Sequence, residues 1–338
     1  MHQATIRDVA GRAGVSIATA SRVLNDAGNT SEASRARVRD AARMLGYRAN
    51  GRARSLRSSR ADTIGVLISD IRNPFFADIA HGVEQAALAA GMVTVVCNAN
   101  ESTQQQALCL DLLLTQRVGG IVMAPQGDGT GALTTVLDHG LPLVFVDRVV
   151  ESARPVPSVT SDNVAGIVQA VEHLTGLGHR RVGYVAGPQQ TSTGRERLSA
   201  FQRAAAERGL DLDPGLIHLG DFRMASGESG AHVLLDLPEP PTAIIAADSL
   251  MTLGVAMACR KRGVVIGREL SLIGYDDEPV FSLIDPPLTV IAHDPARMGE
   301  LAFRMIADVI AGESVASIVL PTGLIVRGST GAVPTGGH

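Results

Sequence analysis

Tryptophan is absent from the 338 residues, tyrosine occurs three times, and lysine once, as Lys261. No glycine-rich loop is followed by that lysine, so a phosphate-binding P-loop is excluded. The three cysteines, Cys97, Cys109 and Cys259, have no CxxC spacing. Their odd, scattered set excludes a disulfide framework or a zinc ribbon and leaves small buried apolar groups as their expected role. No stretch approaches the roughly 20 apolar residues of a membrane span. The N-terminus lacks the apolar segment of a secretory signal, so the expected location is cytoplasmic, with no membrane partner. With 45% apolar and 19% charged residues the composition is that of a globular chain, long enough for two or three domains.

The net charge of -4 is unevenly divided. Residues 1–60 hold twelve arginines against Asp8, Asp26, Glu32 and Asp40, a formal +8, which leaves -12 on the remainder. A small basic head on an acidic body points to a polyanionic partner for the head alone.

Within the head, Thr5 and Asp8 form a capping-box-like start, and Ile6, Val9, Ala10 and Ala13 recur on one helical face until Gly14. Ser16 is placed to cap a second helix that turns Ala20, Val23 and Leu24 inward and Ala18, Ser21, Arg22 and Asn25 outward. A third helix is expected from Thr30 or Ser31, burying Val38, Ala41, Ala42 and Leu45 and stopping at Gly46. Two helices joined by a short Gly turn make a helix-turn-helix, whose second helix lies in the major groove of duplex DNA. That assigns Ile17, Ala18 and Arg22 to base edges, with Arg22 a bidentate donor to guanine. Thr5, Ser16, Thr19 and Ser21 suit phosphate contacts, and a generic three-helix bundle is the alternative. The following "YRANGRARSLRSSR", from Tyr47, carries five arginines with Ala53 and Leu56 on one face, too short to be a stable helix without a partner that neutralises it.

These segments, with "TIRDVAGRAGVSIATASRVLN", "RVRDAARMLGYRAN", "GRARSLRSSRADTIGVLI", "IRNPFFADIAHGVEQAA", "GHRRVGYVAGP", "AADSLMTLG", "LSLIGYDD", "PPLTVI" and "LPTGLIVRGST", closely resemble the LacI/GalR family of transcriptional repressors over nearly the whole chain. The resemblance implies that residues 50–58 are a hinge helix entering the minor groove, with Asn50, Ala53 and Arg54 on the DNA and Leu56 wedged into the central base step. Departures from the family pattern are Ala20, Ser34, Ala49 and Gly323.

From Asp62 onward, apolar β-rich runs alternate with helical periods: "TIGVLIS", "MVTVVCN", "GIVMAP" and "LPLVFVD", then "RRVGYVAG", "LIHLG", "TAIIAAD" and "LSLIGYD". Such alternation predicts an α/β fold of two parallel-sheet subdomains behind the all-α head. The resemblance adds periplasmic-binding-protein-like architecture with three chain crossings, near Thr160, Ile291 and Leu320. The expected domains are a DNA-binding head at 1–47, a hinge at 48–60, and an effector and dimerisation domain at 61–338. Its N-subdomain takes about 61–160 plus 292–320, and its C-subdomain about 161–291 plus 321–330.

Ligands of open parallel sheets sit beyond the carboxyl ends of the strands. Those ends supply Asp70, Asn73, Phe75, Phe76, Gln126, Asp147, Arg148, Thr191, Thr193, Arg197, Phe222, Asp248 and Asp276. Carboxylates and arginines with a few aromatics suit a small polar effector, a sugar or related metabolite. The family's effector contacts match Phe75, Phe76, Arg197, Phe222, Asp276, Asp147 and Thr193. Each has a structural alternative: Phe76 as helix core, Asp248 as helix cap, Asp147 as partner of Arg148.

Two-fold homodimers match near-palindromic operators, and the tail "GSTGAVPTGGH" lacks the leucine heptads of a tetramer seam. No catalytic residue, cofactor or metal site is expected. "GDGTG" at Gly127 is not GxGxxG, "GESG" at Gly227 is no nucleophile elbow, and His81 with Glu84 has no second histidine at i+4. His139, His173, His179, His218 and His293 are expected in loops or packing. A periplasmic binding protein fits the body but not a basic helical head.

Overall fold

The computed structural model describes residues 4–24, 30–47, 62–127 and 131–333. The expectations for Asn25, Asn50, Ala53, Arg54 and Leu56, and for the hinge helix, lie outside those residues. Two compact units meet at Asp62.

The first unit is built from α1 (Ile6–Ala13), α2 (Ile17–Leu24) and α3 (Glu32–Met44). Local chemistry sets each end. The Thr5 backbone N–H donates to Asp8 Oδ2 at 2.8 Å while Thr5 Oγ1 accepts from the Asp8 N–H, a complete capping box. Gly14 closes α1 at φ 63°, a left-handed conformation that costs glycine nothing, and so allows α2 to start only three residues on. Ser16 Oγ accepts from the Thr19 N–H at 3.1 Å, and Ser31 Oγ from the Ser34 N–H at 3.3 Å. Val9, Ala10, Ala13, Ala20, Val23, Val38, Ala41 and Ala42 are buried together, with Ile6, Leu24 and Leu45 half-buried beside them. A core of such small side chains lets three short helices approach closely, which none could do alone.

The second unit holds two six-stranded sheets. In the first, β1 (Thr63–Ile68), β2 (Val93–Asn98), β3 (Gly120–Met123), β4 (Leu143–Val146), β5 (Ser158–Ser161) and β11 (Ile318–Leu320) run in the order β11-β5-β4-β3-β1-β2, all parallel. In the second, β6 (Val182–Ala186), β7 (Ile217–Leu219), β8 (Ala243–Ala246), β9 (Ser271–Tyr275), β10 (Thr289–Ala292) and β12 (Gly323–Ile325) run β12-β10-β9-β8-β6-β7, with β12 antiparallel to β10. β1, β3, β4, β6, β8 and β9 are near-continuous runs of aliphatic, aromatic and small residues because helices cover both faces, and nearly every one of their residues is buried. The helices used below are α4 (Pro74–Ala89), α5 (Thr103–Gln116), α7 (Asn163–Gly176), α8 (Ser192–Arg208), α10 (Ser249–Arg262) and α12 (Pro295–Ile310). The chain leaves the first sheet after Ser161, returns after Ala292 through α12, and leaves again between Leu320 and Gly323.

Cys97 and Cys259 are buried and Cys109 is half-buried. Burial pushes the Cys97 and Cys259 thiols up to about 11, so they stay protonated and unreactive at neutral pH. Among the described residues no helix is long and apolar enough to cross a membrane.

Candidate functional site

On the head, α2 presents Ser16, Ile17, Ala18 and Arg22 to solvent, with Ile17 47% exposed, while Thr19 and Ser21 are half-buried. An isoleucine left that open on a helix whose other face is buried has no packing role in the head. Arg22 Nε donates to the Ala18 carbonyl at 3.4 Å, which holds the guanidinium along the helix beside it. The Ser16 and Thr19 hydroxyls lie 2.9 Å apart and share the cap of α2, so each has work beyond any phosphate contact.

In the second unit, Asn73, Phe75, Phe76, Asp147, Arg148, Thr193, Arg197, Phe222, Asp248 and Asp276 line one cavity of about 20 Å³ between the two subdomains. Every one of them is at most 5% exposed. Larger grooves exist, of about 490 Å³ on the head and about 770 Å³ along α4 and α12, but neither gathers buried charges. Gln126 and Thr191 line the adjoining mouth, a space of about 370 Å³, and not the inner cavity. Asp70 belongs to neither. Arg72 donates to it at 2.5 to 3.1 Å, and although burial pushes that carboxyl up, these bonds hold it below its ordinary value.

Three helix starts converge on the cavity. Asn73 caps α4, its Oδ1 accepting from the Phe75 N–H; Thr191 caps α8; Asp248 caps α10, accepting from the Met251 N–H at 2.7 Å. Asp147, Phe222 and Asp276 follow strand ends at φ 63°, 61° and 66°. Such left-handed backbone is uncommon for residues with a Cβ, and its concentration here is a mark of a functional site. Phe222 gains its place from Gly187, where an added Cβ would lie 2.2 Å from the ring.

Arg148 ties the halves together. It makes a bidentate pair with Glu101, both bonds 2.7 Å, and its guanidinium carbon lies 5.4 Å from the centre of Phe76 and 5.0 Å from that of Phe222. The subdomains also meet where Asn73 Nδ2 donates to Asp248 Oδ2 at 3.0 Å, Ser249 Oγ to Asn73 Oδ1 at 3.1 Å, and the Val149 N–H to Ser192 Oγ at 3.0 Å. Arg197 donates to Asn163 Oδ1 at 2.8 Å and to the Ala247 carbonyl at 2.7 Å, with its guanidinium 3.7 Å over the Tyr275 ring. The Thr193 hydroxyl is buried with no hydrogen-bond partner among the described residues. Such a group is costly unless something else bonds it.

The alternatives weighed from sequence turn out to coexist with the cavity. Asp248 is both cap and lining, Phe76 both core and lining, and Asp147 lies 3.4 Å from Arg148 while lining the same space. His293 stands in the loop after β10 and packs on Phe75, as expected of a loop or packing residue, and it has a further part. Its side chain is 1% exposed and contacts Asp276, Ser161 and Phe75, so it is part of the site's support. Glu101 and Asn163 were also missed. Glu101 stands three residues beyond the end of β2 and Asn163 two beyond that of β5, but only partners distant in sequence make them part of the site.

Burial pushes the Asp248 carboxyl from 3.8 up to about 7, against the Met251 hydrogen bond. The folded state therefore holds this proton where the unfolded chain releases it. The associated stability is fully present below about pH 4 and is lost as pH rises through about 7. Glu278, also raised to about 7 by burial, acts in the same direction. Asp248→Asn is thus expected to flatten, without abolishing, the fall in unfolding free energy between pH 4 and 7, read from urea midpoints across that range. Equal slopes in variant and parent would contradict the assignment. Among the described residues, no cluster of metal-ligating side chains is found.

Residues 5–50 match the model of the bacterial regulatory proteins of the lacI family, and residues 171–330 that of a periplasmic binding protein-like domain. The chain is 33% identical to the transcriptional repressor CytR of Escherichia coli K12 over 98% of this chain and 97% of that one. It is 32% identical to catabolite control protein A of Priestia megaterium over 96% and 99%. Among solved structures, the Lac repressor dimer bound to operator matches with a TM-score of 0.85 at 29% identity, covering 98% of this chain and all of that one. A complex of the regulator CelR with cellobiose matches at 0.73 and 32%, covering 96% and 99%. The chain belongs to the LacI family, and is a DNA-binding transcriptional repressor with an effector-binding domain.

Proposed function

We propose that a homodimer of this chain binds near-palindromic duplex operator DNA through α2, and that a neutral, hydroxyl-bearing ring compound held between the subdomains sets its affinity. One observation carries the reading: the buried cavity is made by residues of both subdomains that bond directly to one another. At about 20 Å³ the cavity has room for no more than a water, so a ring compound enters only as the subdomains part, and its different contacts with the closed and open arrangements are what couple two sites. The domain limits at 47, 60 and 160 are part of the same proposal, as is a cytoplasmic setting.

The charge of the cavity supports a neutral ligand. Asp147 and Asp276 face Arg148 and Arg197, Asp248 holds its proton up to about pH 7, and Arg148 is already paired with Glu101. An acid or a phosphate ester would meet carboxylates in a site short of free positive charge. Hydroxyls can donate to those carboxylates, Thr193 and Arg197 can serve ring or hydroxyl oxygens, and the phenylalanines can cover an apolar face. Dimerisation is supported by the assembly of the Lac repressor relative and by exposed apolar residues on neighbouring elements, Val93 and Val96 on the edge strand β2 and Leu108 and Leu112 on α5.

The reading is tested by thermal melting of the full chain with D-ribose, D-glucose, cellobiose, adenosine, D-gluconate and D-glucose 6-phosphate. A ligand at 100 times its Kd adds about 2.7 kcal/mol of stability, a clear shift. At least one neutral compound is expected to raise the melting temperature, and the two anions are not. A shift by an anion alone would overturn the charge argument.

A further inference from the structure

We propose that His293 is a positioning residue that aims the cavity carboxylate Asp276 and ties it to the two strand exits by which the chain passes between the subdomains. This rests on the reading of the cavity as the effector site. The imidazole uses both nitrogens: Nε2 lies 2.8 Å from Asp276 Oδ1 and Nδ1 lies 2.7 Å from Ser161 Oγ. Ser161 is the last residue of β5, where the chain leaves the first sheet, and His293 follows β10, where it leaves the second. The ring lies parallel to Phe75 with centroids 4.7 Å apart and planes 9° apart, and it meets Tyr275 edge-on. Phe75 stands in the first turn of α4, on the first subdomain, and lines the cavity.

The order Ser161, His293, Asp276 resembles the relay that activates a nucleophilic serine. The geometry assigns the opposite direction. Ser161 is 5% exposed and does not line the cavity, whereas Asp276 does. The carboxylate is the group that meets a ligand, and the imidazole and hydroxyl stand behind it. A carboxylate can only accept, so Nε2 carries the proton; in the neutral ring Nδ1 then accepts from the Ser161 hydroxyl. With the tautomer set by the carboxylate, the hydroxyl behind the ring fixes its orientation and so the line along which Nε2–H meets Asp276, as supporting residues do at metal sites.

Two further features fit. Asp276 sits at φ 66°, a conformation that persists only when its surroundings hold it there. Burial pushes its carboxyl up, but the His293 hydrogen bond and the nearby Arg197 charge bring it below the ordinary value, keeping it an acceptor. Separating the subdomains must break the stack of Phe75 on His293 or turn the ring with one crossing. Either re-aims Asp276, so ligand contact and domain closure share one side chain.

The test is NMR on the full chain with labelled histidine and aspartate. The expected result is a His293 ring in the Nε2–H form with Nδ1 unprotonated. The titration of Asp276 shifts upward in His293→Ala and stays low in His293→Gln, which keeps a donor. Ser161→Ala, a smaller change should the alanine variant at 293 fail to fold, keeps the Nε2–H form on Asp276 but shifts the Nδ1 resonance, whose hydrogen bond is lost. A Nδ1–H ring in the parent, or an Nδ1 resonance unmoved in Ser161→Ala, overturns the proposal; so does an Asp276 titration indifferent to folded His293→Ala. The same samples melted with D-ribose, cellobiose and adenosine separate the two readings. If none shifts the parent while the NMR results hold, the effector reading fails and the positioning role stands.

Discussion

A chain beginning at Thr63 gives no complex with duplex operator DNA at concentrations where the full chain saturates it, while its melting transition and any ligand shift are retained. The expectation follows from charge and from compactness. Residues 1–60 carry the formal +8 and the remainder -12, and the two units are separately compact, so removing the first takes away all net attraction to phosphate without dismantling the second core. Phosphate neutralisation releases counterions, and a protein making six to ten such contacts loses about 10³ to 10⁵ in affinity between 50 and 200 mM salt. Gel shift or fluorescence anisotropy of the full chain should follow that steep slope. A truncated chain that still binds, or a full chain indifferent to salt, would place the DNA contact elsewhere.

Arg148→Met is expected to destabilise the effector-binding domain by about 3–5 kcal/mol, the cost of removing one partner from a buried ion pair. Side-chain exposure at Arg148 and Glu101 is 3% and 8%, so the Glu101 carboxylate is left buried beside Asp147 with no counter-charge. The variant also loses the guanidinium that lies near both Phe76 and Phe222, and with it a contact holding the subdomains together. Adding Glu101→Gln should return part of the loss, because a neutral amide is cheaper to bury than an unpaired charge. By contrast, Glu300→Gln, which breaks the exposed ion pairs to Arg297 and Arg304, should cost far less, because solvent screens those pairs. Urea denaturation of the three variants measures this. If Arg148→Met costs no more than Glu300→Gln, the pair does not hold the site.

Much of this was legible in the residue order because the relevant interactions are local. A capping box spans three residues, as Thr5 and Asp8 do, and an inward helical face repeats within a turn, as Val9, Ala10 and Ala13 do. The strand runs were equally plain, and the rule that ligands sit beyond strand ends assembled all ten residues of the inner cavity from fragments of both subdomains. That rule is one of position alone. It also took in Asp70, which Arg72 engages, and Gln126 and Thr191, which line the mouth. Glu101 and His293 also stand beyond strand ends, those of β2 and β10, but it is their distant partners Arg148, Asp276 and Ser161 that make them part of the site.

The residue order alone therefore determined the helices of the head, the alternation that makes two parallel sheets, and the division of charge that sends one end of the chain to a polyanion. Tertiary structure decided which polar groups are partners. Ser161 and His293 are 132 positions apart, Asn73 and Asp248 175 apart. Periodicity and capping act within a turn or a pleat, whereas a hydrogen bond needs two atoms within about 3 Å, a condition that only the completed crossings between the sheets impose.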